Sequence, residues 1–297
     1  MGEVWSAIDR RGEGEVAVKL AQPWVATDPD LAERFVREAK LLARLESPFV
    51  CKLIDVGRSA DERPYIVLEK LEGETLEQLL KREGYLPMSE VGRIGDEILQ
   101  ALVVAHRAGI VHRDLSPANV FLHRTGRSPE RETITKVLDF GIAKVADTGA
   151  PRTGSRAVMG SLPYVAPEQL GDSATAGPRA DLYAMGTVAF HALTGKLPYG
   201  DAQGTALIVL KREHDPQSLD EATGEKWPAA LRTFLSKAMA RAPSRRHASA
   251  EVALAAWRQA VRGKGPALDV PLPSDDASTM TLGDGAPRAR RNKSKGP

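Results

Sequence analysis

The chain holds a single cysteine, Cys51, so no disulfide can form within it. It also lacks any run of about twenty apolar residues, the length needed to cross a bilayer, and it has no leader-like N-terminus. The expectation is a soluble cytoplasmic protein with no membrane contact inside this chain. Charge of one sign is missing too, because 41 basic side chains meet 39 acidic ones for a net +2. No global field therefore points to nucleic acid or lipid, and specificity has to come from local sites. Aromatics are scarce, and none interrupts the basic run from Arg288 to Lys295, which argues against a nucleic-acid partner. The six histidines are scattered without metal-ligand spacing, so none reads as a zinc ligand.

What is present is a length of 297 residues with 42% hydrophobic content, enough for one large or two small domains. The densest chemistry sits in His112-Arg113-Asp114-Leu115-Ser116-Pro117-Ala118-Asn119. Pro117 fixes its own φ and stiffens the turn, so Asp114 and Asn119 can aim their oxygens in set directions. A carboxylate so placed can orient a hydroxyl nucleophile, and an amide oxygen can ligate a hard cation. Further on comes Leu138-Asp139-Phe140-Gly141, a strand end delivering a second acid.

These two stretches resemble the catalytic loop and the Asp-Phe-Gly motif of the protein kinase family, in that family's order. Other parts follow in register. Val16-Ala17-Val18-Lys19-Leu20 alternates at period two, so Ala17 and Lys19 share a face. The apolar stripe Leu31, Phe35, Leu42, Leu45 predicts a helix with Glu38 in phase on it, and a carboxylate there needs a cation. Lys19 is the obvious one, similar to the family's lysine–glutamate pair that holds the α- and β-phosphates. Met1-Gly2-Glu3-Val4 resembles only the end of the family's glycine-rich loop, with Gly2 its last glycine and Val4 over the adenine.

The resemblance assigns further positions. Leu68 matches the residue before the hinge, the backbones of Glu69 and Leu71 meet the adenine edge, and Phe121 floors the adenine site. Residues 139 to 168, ending in Ala166-Pro167-Glu168, look like an activation segment. Arg113 beside Asp114 suggests control by phosphorylation there, with Thr148, Thr153 and Ser155 as acceptors. Asp181 is expected to hold the loop backbone, and Arg246 to pair with Glu168. The resemblance implies an α+β bilobed fold, a small antiparallel sheet lobe with one main helix beside a larger mainly helical lobe. The kinase domain is expected over 1–261, with 1–70 a small lobe lacking its first strand, 71–261 the large lobe, and 262–297 a tail or linker.

The implied activity is transfer of the γ-phosphoryl group of ATP to serine or threonine hydroxyls of proteins, as in bacterial relatives of eukaryotic kinases, with autophosphorylation in trans. Asp114 would be the base, Asn119 and Asp139 would hold Mg²⁺ (or Mn²⁺), and Lys19, fixed by Glu38, would align the triphosphate. One departure bears on rate: the lysine that serine/threonine kinases carry two residues after the base is Ser116 here. That substitution, with the clipped glycine loop, keeps open a rival in which the chain binds nucleotide as a pseudokinase or scaffold.

Overall fold

Alternation at the N-terminus builds a hairpin. In the computed structural model, which describes residues 3–10, 14–125, 132–140, 161–171, 176–262 and 265, β1 (Glu3–Asp9) and β2 (Gly14–Leu20) run antiparallel. Val4 stands opposite Lys19 and Ser6 opposite Ala17, so period-two alternation puts all four on one face. A short α1 (Pro23–Ala26) precedes α2 (Pro29–Leu42). Asp28 starts α2 by accepting the amides of Asp30 and Leu31 at 3.0 and 3.2 Å, and Pro29 loses nothing at a position whose N–H has no helical partner.

β3 (Leu53–Arg58) and β4 (Pro64–Glu69) complete a four-stranded antiparallel sheet in the order β1-β2-β4-β3. Phe35 and Ala39 of α2 pack onto this sheet against Val25, Leu53 and Ile66, forming the smaller of two cores. The stripe in the sequence runs on to Leu45, yet α2 stops at Leu42. The amides of Arg44 and Leu45 turn back to Leu41 and Leu42, tightening the chain while Leu45 stays buried against the larger core. β3 gives little signal in the sequence because Asp55 and Gly57 break its alternation, and its register shifts between Leu53 and Asp55.

The second part is mainly helical. It comprises β5 (Gly73–Thr75), α3 (Leu76–Glu83), α4 (Met88–Arg107), β6 (Val120–Thr125), β7 (Glu132–Val137), α5 (Pro178–Thr194), α6 (Gly204–Glu213), α7 (Leu219–Thr223), α8 (Ala229–Ala238) and α9 (Ala250–Ala260). Strands β5, β6 and β7 form their own small antiparallel sheet. α5 is apolar nearly all round and is buried accordingly. α4 and α9 approach closely at Gly95, where a Cβ would lie 2.6 Å from the Trp257 ring, and the indole Nε1–H donates to Gly92 O at 2.9 Å. The architecture is the α+β arrangement expected, an antiparallel sheet with one main helix beside a larger helical body. No helix among the described residues is long and apolar enough to cross a membrane.

The backbones of the two parts meet at Val137. Val137 at the end of β7 donates its N–H to Phe49 O at 2.8 Å and accepts the Cys51 N–H at 3.0 Å. Asp139, two residues on, therefore emerges at the junction.

Candidate active site

The loop that follows α4 is held from beneath by one carboxylate. Asp181 is buried in the first turn of α5, where the helix dipole favours an acid. Its Oδ1 accepts the Arg113 N–H, and its Oδ2 accepts the His112 N–H and the His106 Nε2–H, all at 2.8 Å. Arg113 has φ +64°, a left-handed backbone that costs a non-glycine residue about 1–3 kcal/mol. Asp181 on its amide, and Gln169 Nε2–H on its carbonyl at 2.9 Å, hold that peptide in place.

His112 joins this loop to the stretch carrying Asp139. The imidazole is fully buried, donates from Nε2 to Leu138 O at 2.8 Å and accepts the Asp114 N–H on Nδ1 at 3.2 Å. Those partners select the Nε2–H tautomer. The ring also packs on Phe140 at 4.7 Å between centroids. Asn119 makes the second link, its carbonyl accepting the Leu138 N–H at 2.9 Å. Its side-chain Nδ2 donates to Asp114 O at 2.8 Å and to Asp114 Oδ2 at 3.3 Å, which leaves Oδ1 as the oxygen for another ligand.

Asp139 also has a left-handed backbone, φ +54°, and its Oδ2 accepts from Lys19 Nζ at 2.6 Å. This ion pair opens onto a cavity of about 320 Å³ between the sheet and the helical part. Its wall contains Val4 and Ala17 from the hairpin, Leu68, Glu69 and Leu71 from β4 and beyond, Phe121 from β6, and Lys19 and Asp139 themselves. The residues read from sequence as nucleotide contacts thus share one cavity, except Gly2 and Glu38. Gly2 and the side chain of Glu38 lie outside the described residues, as do Gly141 and the acceptors Thr148, Thr153 and Ser155. Asp114 and Asn119 are not in the cavity wall but are tied to it through Leu138.

Two wall residues, Cys51 and Leu53, have little signal in the sequence. Ile66 lies in phase with Leu68 on β4, but Cys51 and Leu53 belong to the poorly marked β3 region. Burial, reinforced by the nearby Glu69 carboxylate, pushes the Cys51 thiol up to about 12. Glu69 itself accepts from Lys136 Nζ at 2.6 Å and from the Lys52 N–H at 2.7 Å, so its side chain braces the cavity wall as well as its backbone lining it. Ser116 is buried, and its Oγ has no hydrogen-bond partner among the described residues.

Further from the cleft, Arg246 and Glu168 meet as a bidentate pair at 2.6 and 2.7 Å. The guanidinium is fully buried and spends its other N–H groups on the carbonyls of Ala240, Arg179 and Arg241.

Comparison with known proteins matches residues 1–258 to the protein kinase domain model. The chain belongs to the protein kinase family. Members of this family use ATP. The kinase chain is 38% identical over 221 residues to the serine/threonine-protein kinase PknA of Mycobacterium tuberculosis, covering 73% of this chain and 49% of the relative. It is 36% identical over 256 residues to the serine/threonine-protein kinase pkn3 of Myxococcus xanthus, covering 84% and 46%. It thus spans about half the length of these relatives. Among solved structures, the PknI kinase domain of Mycobacterium tuberculosis is similar with a TM-score of 0.65 and 29% identity, covering 87% of this chain and 91% of that one.

Proposed function

We propose that this kinase chain transfers the γ-phosphoryl group of ATP to serine or threonine hydroxyls of proteins. The observation that carries the reading is the convergence of Lys19 and Asp139, paired at 2.6 Å in the wall of a largely apolar cavity, with the Asp114–Asn119 loop tied directly to the Asp139 segment. Val4, Ala17, Leu68 and Phe121 suit a flat base, and the backbones of Glu69 and Leu71 suit its hydrogen-bonding edge. Gly2 and Glu38 complete the set as a loop contact to the phosphates and a brace for Lys19.

In the transfer, the acceptor oxygen attacks the γ-phosphorus in line while the bond from that phosphorus to the bridging oxygen of ADP breaks. Asp114 orients the hydroxyl and takes its proton. Lys19 aligns the triphosphate, so positioning and charge placement carry most of the rate. Asn119 Oδ1 and Asp139 are hard oxygen donors and fit Mg²⁺ or Mn²⁺. When bound, such an ion neutralises phosphate charge. Phosphorylation of Thr148, Thr153 or Ser155 would regulate the chain through Arg113. Residues 1–261 form the catalytic unit in this reading, and 262–297 a tail.

A second reading, a nucleotide-binding pseudokinase or scaffold, is favoured by Ser116. A buried hydroxyl stands where a cation would otherwise meet the γ-phosphate. Radiolabel transfer from ATP to the chain itself or to a generic basic protein separates the two, with Asp114→Ala as control. Label in the native chain and little in the variant supports the kinase. Equal label in both discards the mechanism, and binding of Mg-ATP without transfer favours the scaffold.

A further inference from the structure

Half of the residues of helix α6 are exposed, yet one of its basic residues points inward. Lys211 is fully buried, and its Nζ donates to the carbonyl oxygens of Pro163 and Val165 at 2.7 and 2.6 Å. The ammonium also lies 5.0 Å from the centroid of the Tyr183 ring and 5.9 Å from that of Tyr199. Glu168 is near, but its carboxylate is committed to both terminal nitrogens of Arg246. A buried lysine that ends on peptide carbonyls is an expensive way to fix a stretch of backbone.

The stretch it fixes leads straight to the proposed base. Gln169, also buried, accepts the Ala166 N–H on Oε1 at 3.1 Å and donates from Nε2 to Arg113 O at 2.9 Å. Arg113 is the residue before Asp114. Lys211 and Gln169 therefore pin the backbone of 163–166 from two sides, and Gln169 ties it to the peptide that precedes Asp114. None of these residues lies in the wall of the nucleotide cavity. A hydroxyl carried on a polypeptide has to reach Asp114 with its flanking chain alongside, and residues 163–166 are fixed backbone tied through Gln169 to the peptide just before that carboxylate.

We infer that Lys211 is a positioning residue for the protein acceptor, holding the ledge of residues 163–166 at the height and distance from Asp114 that a flanking chain needs. The inference rests on the reading of the chain as a protein kinase. Burial, with Arg246 adding to it and Glu168 opposing, lowers Lys211 to about 7. The other titratable groups facing it are the phenols of Tyr183 and Tyr199, both pushed up by burial, so the loss of charge above neutrality belongs to the lysine. A neutral amine still donates, but without the charge that strengthens both bonds.

Steady-state kinetics of the full chain test this, with ATP and a generic basic protein varied in turn. Lys211→Met keeps the volume and removes the donors; it should raise KM for the protein by about tenfold or more, and KM for ATP far less. Lys211→Gln restores two N–H donors without a charge and should recover most of that loss. In the native chain KM for the protein should rise as pH passes through about 7, whereas in the Gln variant it should stay flat. Equal rises in both KM values, an unchanged KM in the Met variant, or a native pH slope in the Gln variant would each overturn the proposal. If the Met variant does not fold, the Gln pH profile alone decides. Absence of transfer by the native chain is a different failure, because it removes the kinase reading itself.

Discussion

Lys19 and Asp139 stand 120 positions apart in the chain and bring Nζ and Oδ2 to 2.6 Å. The pair is only partly exposed, at 11% and 24%, so each charge largely answers the other across the junction of the sheet and the helical body. In the proposed function, a nucleotide in the cavity would offer the lysine phosphate oxygens and leave the carboxylate for a cation. Lys19→Met removes the first of these exchanges while keeping side-chain bulk. Transfer should fall by on the order of 10²–10³-fold, the loss expected for one preorganised charge donor, while the melting temperature changes little. Label-transfer rates and a thermal melt on the same samples check it; transfer within about threefold of native would show that the lysine does not serve the phosphates.

Much of this cleft is legible in the sequence. Period two in 16–20 put Ala17 and Lys19 on one face, and both line the cavity. The resemblance implies that Asp181 holds the loop backbone, and it does. What the letters could not carry was anything decided by tertiary contact. Lys136 and Lys211 look like ordinary exposed cations in their own segments, yet both are buried because distant groups, Glu69 for one and two carbonyls for the other, receive them. Strand β3 was illegible for a local reason, since Asp55 and Gly57 interrupt the apolar alternation that marks a strand.

The Arg246–Glu168 pair is a structural tie rather than part of the chemistry. The arginine is fully buried and all its donors are used, with its guanidinium 4.9 Å from the centroid of the Tyr183 ring. Arg246→Met would leave Glu168 and three carbonyls without their partner. A stability loss of about 3–5 kcal/mol is expected, read as a lower urea midpoint at unchanged slope. A shift below about 1 kcal/mol would mean that water or neighbouring side chains replace the guanidinium easily.

Cys51 lines the cavity, but its chemistry should be muted. With the thiol pushed up to about 12, chiefly by burial, very little thiolate exists near neutral pH. Alkylation by iodoacetamide near pH 8 should run on the order of 10³ times slower than for a free thiol, followed by intact mass. Reaction at the rate of an exposed cysteine would show that the wall around Cys51 opens readily.

The last test concerns acid. Tyr164, in the ledge that Lys211 holds, donates its hydroxyl to His191 Nδ1 at 2.8 Å on α5. Burial drives His191 down to about 4, with Glu77 opposing, while an unfolded histidine titrates near 6.5. Between about 4 and about 6.5 the unfolded chain therefore binds a proton that the folded chain refuses. Stability from this site is complete above the upper value and drains away as pH falls through that window. Protonating Nδ1 also removes the acceptor that Tyr164 uses, so the ledge loses an anchor in the same range. His191→Gln keeps an oxygen that can accept from Tyr164 but has no proton to gain. Urea midpoints measured near pH 7 and near pH 4.5 should drop further in the native chain than in the variant. Carboxylates titrate in both proteins alike, so the difference between the two drops isolates His191, and equal drops would place its titration outside this window.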